Sequence, residues 1–232
     1  MALLFGTLGN DAIAGTANDD LVVAFSGDDI IRTASGNDLI YAGSGMDLIY
    51  SSDGDDIVIA GQGEDEVYAG SGRDFVSGGD DNDEIHGEDG NDILVGGNGS
   101  DVIYGGNDSD RIFGGNDRDK LIGGKGRDLL VGGEGGDVLY GFDGSGAGDG
   151  ATDIFDFNFL SESNSIAHDV IGDFEQNIDR IDLSDLSTQG ISSFADIAVG
   201  DDGTDTYIKG VNVDFLVELN GVYNLTSADF IF

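Results

Sequence analysis

The chain is 232 residues long and carries 47 acidic against nine basic side chains, a formal net charge of −38, with 41 Gly and neither Pro nor Cys. That charge opposes nucleic acid and anionic membrane surfaces, the lack of Cys excludes disulfides, and no stretch reaches the roughly 18 apolar residues of a membrane helix. With 39% hydrophobic residues and so much glycine to order, burial alone is a weak organiser of this chain, and cations are its natural partner.

The opening MALLFG has no basic segment and too few apolar residues for a secretory leader. From Gly6 the sequence repeats every nine residues to Tyr140, giving fifteen units with no insertion or deletion. The sixth position is always Asp: Asp11, Asp20, Asp29, Asp38, Asp47, Asp56, Asp65, Asp74, Asp83, Asp92, Asp101, Asp110, Asp119, Asp128 and Asp137. The eighth is always Ile, Val or Leu, from Ile13 and Val22 to Leu130 and Leu139. The first two positions are Gly-Gly from Gly78 onward, with Glu88 the one departure, and are looser before it. Strand character at positions seven to nine, followed by six residues of Gly/Asp/Asn turn character, predicts a short strand and a turn repeated without helices. Neighbouring side chains on a strand face opposite ways, so position eight points inward and positions seven and nine outward. Two units then make one coil, successive units feed opposite sheets, and units i and i+2 stack about 4.8 Å apart. The Asp column becomes two rails along the edges of a flattened roll.

The nine-residue register fails at 141–152 (GFDGSGAGDGAT), which reads as a linker or a deformed last repeat. In the following DIFDFNF, Phe155, Phe157 and Phe159 alternate with Asp156 and Asn158, as on one face of a strand. Residues 153–232 predict short strands and one brief helical turn near 193–197. A solenoid needs atypical ends to close its core, so this segment reads as a C-terminal cap on a roll spanning 1–140. The expected fold is all-β, a parallel β-roll with a β-rich capping region.

Carboxylates about 4.8 Å apart repel by about 1 kcal/mol even at the dielectric constant of water. A hard divalent cation between stacked turns reverses the sign, because it gains carboxylates and turn carbonyls as oxygen ligands. With no Cys and only His86 and His168, zinc, copper and nickel lack donors. Irregular, oxygen-rich loops suit calcium better than magnesium, and no EF-hand loop occurs.

The units GGNGSDVIY, GGKGRDLLV and GGEGGDVLY match G-G-x-G-x-D-x-U-x, so the chain resembles the RTX (repeats-in-toxin) nonapeptide family. The resemblance implies a right-handed β-solenoid with multiple calcium ions between adjacent turns. Its ligands would be the Asp column and main-chain carbonyls from the first four positions of each unit: Gly78, Gly79, Gly87, Gly90, Gly96, Gly97, Gly99, Gly105, Gly106, Gly114, Gly115, Gly123, Gly124, Gly126, Gly132, Gly133 and Gly135. Asp81, Asp108, Asp117 and Asn18 replace the fourth-position Gly, and these residue types tolerate left-handed backbone. Stacking i on i+2 allows up to about thirteen sites. In the last segment, GDFEQNIDRIDLS and LTSADFIF resemble the C-terminal region of serralysin-type proteases, RTX lipases and the R-modules of mannuronan epimerases. That likeness implies that Asp229, Phe230, Ile231 and Phe232 are an uncleaved signal for a type I secretion apparatus, and that the protein is extracellular, in solution or at the cell surface. A terminal strand of the cap is the other reading of those four residues. In calcium-poor cytosol the rails repel, and the chain is expected to fold only on meeting calcium outside.

No H-E-x-x-H, G-x-S-x-G or phosphate-binding loop occurs, and neither His has a nucleophile partner. The expectation is a non-catalytic binding or structural protein. The alternative is the calcium-binding, secretion and polysaccharide-binding tail of an extracellular enzyme such as an alginate epimerase, protease or lipase. The even-numbered units point Leu21, Leu39, Ile57, Phe75, Ile93 and Leu129 (position seven) and Val23, Tyr41, Ile59, Val95, Phe113 and Val131 (position nine) outward, interrupted by Ser77 and Arg111. An apolar face of that extent reads either as covered by the cap or the N-terminal ALLF, as the product of β-propensity alone, or as a surface for a protein partner or self-association. Arg111, Arg118, Lys120, Lys125 and Arg127 read either as local relief of repulsion or as contacts for an acidic polysaccharide.

Overall fold

The computed structural model describes residues 1–142, 149–158 and 167–232. Successive strands go to opposite sheets, one of 11 strands and one of 12. The first sheet starts with Leu3–Phe5, Leu21–Ser26 and Leu39–Ser44, the second with Ala12–Ala14, Ile30–Arg32 and Leu48–Asp53. Each strand pairs in parallel with the strand one coil away, in the register Ile93↔Arg111, Leu94↔Ile112 and Val95↔Phe113. This is the alternation that the nine-residue period predicts. From Val22 to Leu139 every position-eight side chain is fully buried, and its neighbours on either side are more exposed.

The strands are longer than expected. A typical one, Ile93–Asn98 or Leu129–Glu134, covers positions seven to nine and then the first three residues of the next unit. The physical reason is that position one also faces inward. Ala24, Ala42, Ala60 and Ala69, with Thr33 and Ser51, form a second buried file beside the aliphatic one. Glycine at the same position carries no side chain that would reveal it. Position two then turns the strand through left-handed backbone, as at Gly97 (φ 128°), and Phe25, Ser52 and Glu88 accept φ of 80°, 78° and 74° in the same place. At position four Asp81, Asp108 and Asp117 adopt φ of 79°, 75° and 76°, whereas Asn18 stays out of that region.

At the N-terminus Leu3–Phe5 pairs with the strand at Leu21, so ALLF extends the first sheet in its own plane and does not fold over its outer face. At the other end both sheets continue through Ile154–Asp156, Asp169–Ile171 and Arg180–Asp182. Phe230–Ile231 ends the first sheet, and Leu216–Leu219, Thr206–Gly210 and Ile197–Asp201 end the second, the last two antiparallel. A 3-10 turn at Phe194–Asp196 falls where a brief helical turn was expected, and a longer one at Ser184–Gln189 was not foreseen. Phe155 and Phe157 enter the core, where Phe157 meets Phe215 edge-on at 5.8 Å. Phe159 and residues 143–148 of the expected linker lie outside the described residues. Among the described residues no helix is long and apolar enough to cross a membrane.

Candidate metal centre on two carboxylate rails

Each position-six Asp sits in the turn between two strands, and its backbone N–H donates to Oδ1 of the Asp one coil further on. Along one edge the chain of bonds runs from Asp11 through Asp29, Asp47, Asp65, Asp83, Asp101 and Asp119 to Asp137, at 2.7–2.9 Å. Along the other it runs from Asp20 through Asp38, Asp56, Asp74, Asp92 and Asp110 to Asp128, at 2.7–2.9 Å. One oxygen of each carboxylate is therefore fixed by the backbone.

The other oxygen is different. Oδ2 of every rail Asp from Asp29 to Asp137 is buried and has no hydrogen-bond donor. Leaving one buried acceptor unpaired costs about 1–3 kcal/mol, and more when it is charged. Burial, opposed by the backbone bond and reinforced by neighbouring carboxylates, pushes Asp83, Asp110 and Asp119 up to about 8 and Asp56, Asp65 and Asp92 up to about 7. A proton or a cation must answer this row of oxygens, and only a cation answers several at once. The first two units stand apart: Asp11 Oδ2 accepts from Thr7, and Asp20 Oδ2 from the Thr16 N–H at 2.7 Å. Bonds from the Ala2 and Thr16 backbone hold Asp20 below the usual carboxylate range.

Position-one glycines leave the space that these oxygens face. A Cβ placed on Gly96 would run into Asp101 Oδ2 and the carbonyl oxygen of Gly114, and one on Gly105, Gly114 or Gly123 would meet the corresponding pair. A carboxylate oxygen and a main-chain carbonyl from the next coil thus converge on a cradle free of side chain. Position-two glycines lie directly over the position-two carbonyl of the preceding coil, Gly97 over Gly79 and Gly115 over Gly97. At position four Gly99 and Gly126 lie over the carbonyls of Asp81 and Asp108. The donor set is oxygen only, flexible and one carboxylate per turn, which fits calcium. No cluster of three or more acidic, His or Cys side chains able to hold a metal occurs among the described residues. The main-chain carbonyls are therefore an obligatory part of the set.

The rails outlast the nine-residue register. Asp128 N–H donates to Asp153 Oδ1 (2.9 Å), Asp137 to Asp169 (2.9 Å) and Asp153 to Asp179 (3.1 Å), so three more carboxylates follow across insertions. Asp169 is fully buried like those before it, and burial raises Asp153 to about 8. The signal that marks them is Asp followed two residues later by a core residue, in DIF, DVI and DRI. The nine-residue period no longer points to them, because insertions separate them from the register.

Other candidate residues are dispersed. Arg111 lies on the outer face of the first sheet over Phe113, and Lys120 on the second over Tyr140. Arg118 and Arg127 occupy turns at opposite edges, Arg118 donating to the Gly136 carbonyl at 3.1 Å, and Lys125 is exposed at a strand end. The five bases form no single patch. His86 is a rung in a stack of rings between Tyr68 (4.6 Å) and Tyr104 (4.7 Å), and His168 pairs with Glu218. At the C-terminus Asp229 is buried and closes a capping box with Thr226, Phe230 pairs with Ile181, and Phe232 stacks on Phe230.

A family model described as RTX calcium-binding nonapeptide repeat matches residues 5–40, 33–67, 41–76, 59–94, 68–103, 86–121 and 122–145. Among solved structures, the chain is similar to the AlgE6R3 subunit of the Azotobacter vinelandii mannuronan C5-epimerase, with 30% identity over 66% of this chain and 79% of that one (TM-score 0.43). It is also similar to the AlgE6R2 subunit, with 29% identity over 71% of this chain and 94% of that one (TM-score 0.35). The extracellular lipase LipA from Serratia marcescens aligns at 17% identity over 99% of this chain and 40% of its own (TM-score 0.21). A search of curated proteins finds no match.

Proposed function

Since this chain belongs to the RTX calcium-binding nonapeptide-repeat family, we propose that it is an exported protein whose fold depends on extracellular calcium and whose role is binding or structural, not catalytic. The observation that carries this reading is the row of buried Oδ2 atoms without donors, from Asp29 to Asp137. Bound between turns, calcium supplies positive charge and coordination to oxygens that nothing else in the fold satisfies. The chain's part is to present Oδ2 and the position-one carbonyl together, while the Oδ1 bond from the preceding coil fixes each carboxylate. Without calcium the charge of −38 opposes stacking, which suits passage through a type I export channel as an open chain. We read Asp229 to Phe232 as the address for that channel and, once folded, as the closing strand of the cap.

Calorimetric titration of the chelated chain with calcium tests the reading. The expected result is several ions per chain, up to about thirteen, with matched magnesium giving little heat. Binding of one ion or none would overturn it. Fusing the last segment to a passenger, with and without the four terminal residues, tests the export address separately.

A further inference from the structure

After Gly6 and Gly15 in the first two units, the residue at position one falls into two blocks, and the change between them comes at one level of the roll on both edges. Through units three to eight it carries a Cβ (Ala24, Thr33, Ala42, Ser51, Ala60 and Ala69), and from Gly78 onward it is glycine. All six of those side chains are buried. They occupy the place where, in the later units, an added Cβ would overlap the Asp Oδ2 and the next-coil carbonyl. Two of them do more than fill space. The Thr33 hydroxyl donates to the Ser51 carbonyl and the Ser51 hydroxyl to the Ala69 carbonyl, both at 2.8 Å. These carbonyls are the counterparts of the Gly123 and Gly141 carbonyls that face the open cradle at Gly105 and Gly123.

We infer that the roll holds two classes of calcium site: open seats from Gly78 onward, and narrowed seats in units three to eight, where a methyl or hydroxyl takes part of the space and, at Thr33 and Ser51, one carbonyl is already committed. The inference rests on the calcium reading above. Calcium affinity in flexible oxygen sites is tuned by the number of available ligands and by site rigidity over several orders of magnitude. The narrowed seats therefore fill later, and the two halves of one continuous solenoid order at different calcium concentrations.

Hydrogen exchange along the full chain, followed against free calcium, tests this. Amides of 78–140 are expected to gain protection at about tenfold lower calcium than those of 24–77. The pair Ala42→Gly and Ala60→Gly should lower the calcium needed by the N-terminal half, although glycine in a strand is otherwise destabilising, so a gain cannot be a generic effect of the substitution. Gly96→Ala with Gly114→Ala should raise the requirement of the C-terminal half. One common midpoint along the roll, unmoved by either pair, would overturn the two classes while leaving the calcium reading standing. Protection independent of calcium everywhere would overturn both.

Discussion

In the roll, each unit from the second onward sends one fully buried aliphatic residue and one small residue or glycine inward, and sets one buried carboxylate on a rail. In residues 167–232 the same two sheets enclose Phe174, Leu183, Leu186, Ile191, Phe215 and Phe230, with Phe174 meeting Tyr223 edge to face and Phe194 tilted against Phe230. Aromatic side chains bury roughly 150–250 Å² each, far more than a Val or an Ala. The cap thus closes the solenoid by ordinary hydrophobic burial, and the roll adds to a thin core a requirement for charge neutralisation. One continuous pair of sheets combines two sources of stability, and they overlap past the end of the nine-residue period, where the rail runs on through Asp153, Asp169 and Asp179.

The comparison breaks most visibly on a substitution in the cap core. Phe157→Ala is expected to cost about 3–5 kcal/mol, read as a lowered denaturation midpoint of the calcium-loaded protein. A much smaller loss would show that the cap does not stabilise by burial. On the rail, Asp110→Asn keeps an acceptor for the Asp92 N–H and removes the charge. It should weaken the calcium-loaded form by about 1.5–3 kcal/mol and leave the chelated form no less stable, a difference in sign that no cap substitution should show.

A pH series sharpens the contrast further. Burial raises Asp83, Asp110 and Asp119 to about 8, above their unfolded values near 4, so in the calcium-free chain folding takes up protons. The stability these groups contribute is fully present below about pH 4 and is lost progressively as pH rises to about 8. In chelator, strand content should therefore be higher at pH 5 than at pH 8, and with saturating calcium this dependence should shrink, because the cation replaces the protons. The smallest expected effect is at Glu88, an exposed residue at φ 74° where most of its counterparts are glycine. Glu88→Gly should add about 0.5–1 kcal/mol by removing left-handed strain.

The two fixed columns made much of this legible in advance. Invariant Asp11 to Asp137 and the aliphatic column from Ile13 to Leu139 fix the coil of two units, the parallel pairing and the inward and outward sides. The inward role of position one was not legible, because glycine leaves no hydrophobic mark there and Ala24 or Ser51 looked like degenerate variants. Position two was equally opaque: Phe25 and Glu88 do not advertise left-handed backbone, and only stacking over a carbonyl of the preceding coil imposes it. Asp169 and Asp179 escaped because insertions of irregular length separate them from Asp137 and Asp153 while the hydrogen-bonded rail carries on in space. The antiparallel ending arises from long-range pairing, which no local period encodes.

The central claim is that the carboxylate rails make the roll conditional on calcium. Far-UV circular dichroism of the full chain at pH 7.5, first in chelator and then with calcium added back, tests it directly. The account predicts a largely unordered spectrum in chelator and recovery of strand signal on addition of calcium, with no comparable recovery in magnesium. A roll that keeps its full strand signal in chelator at that pH would contradict it.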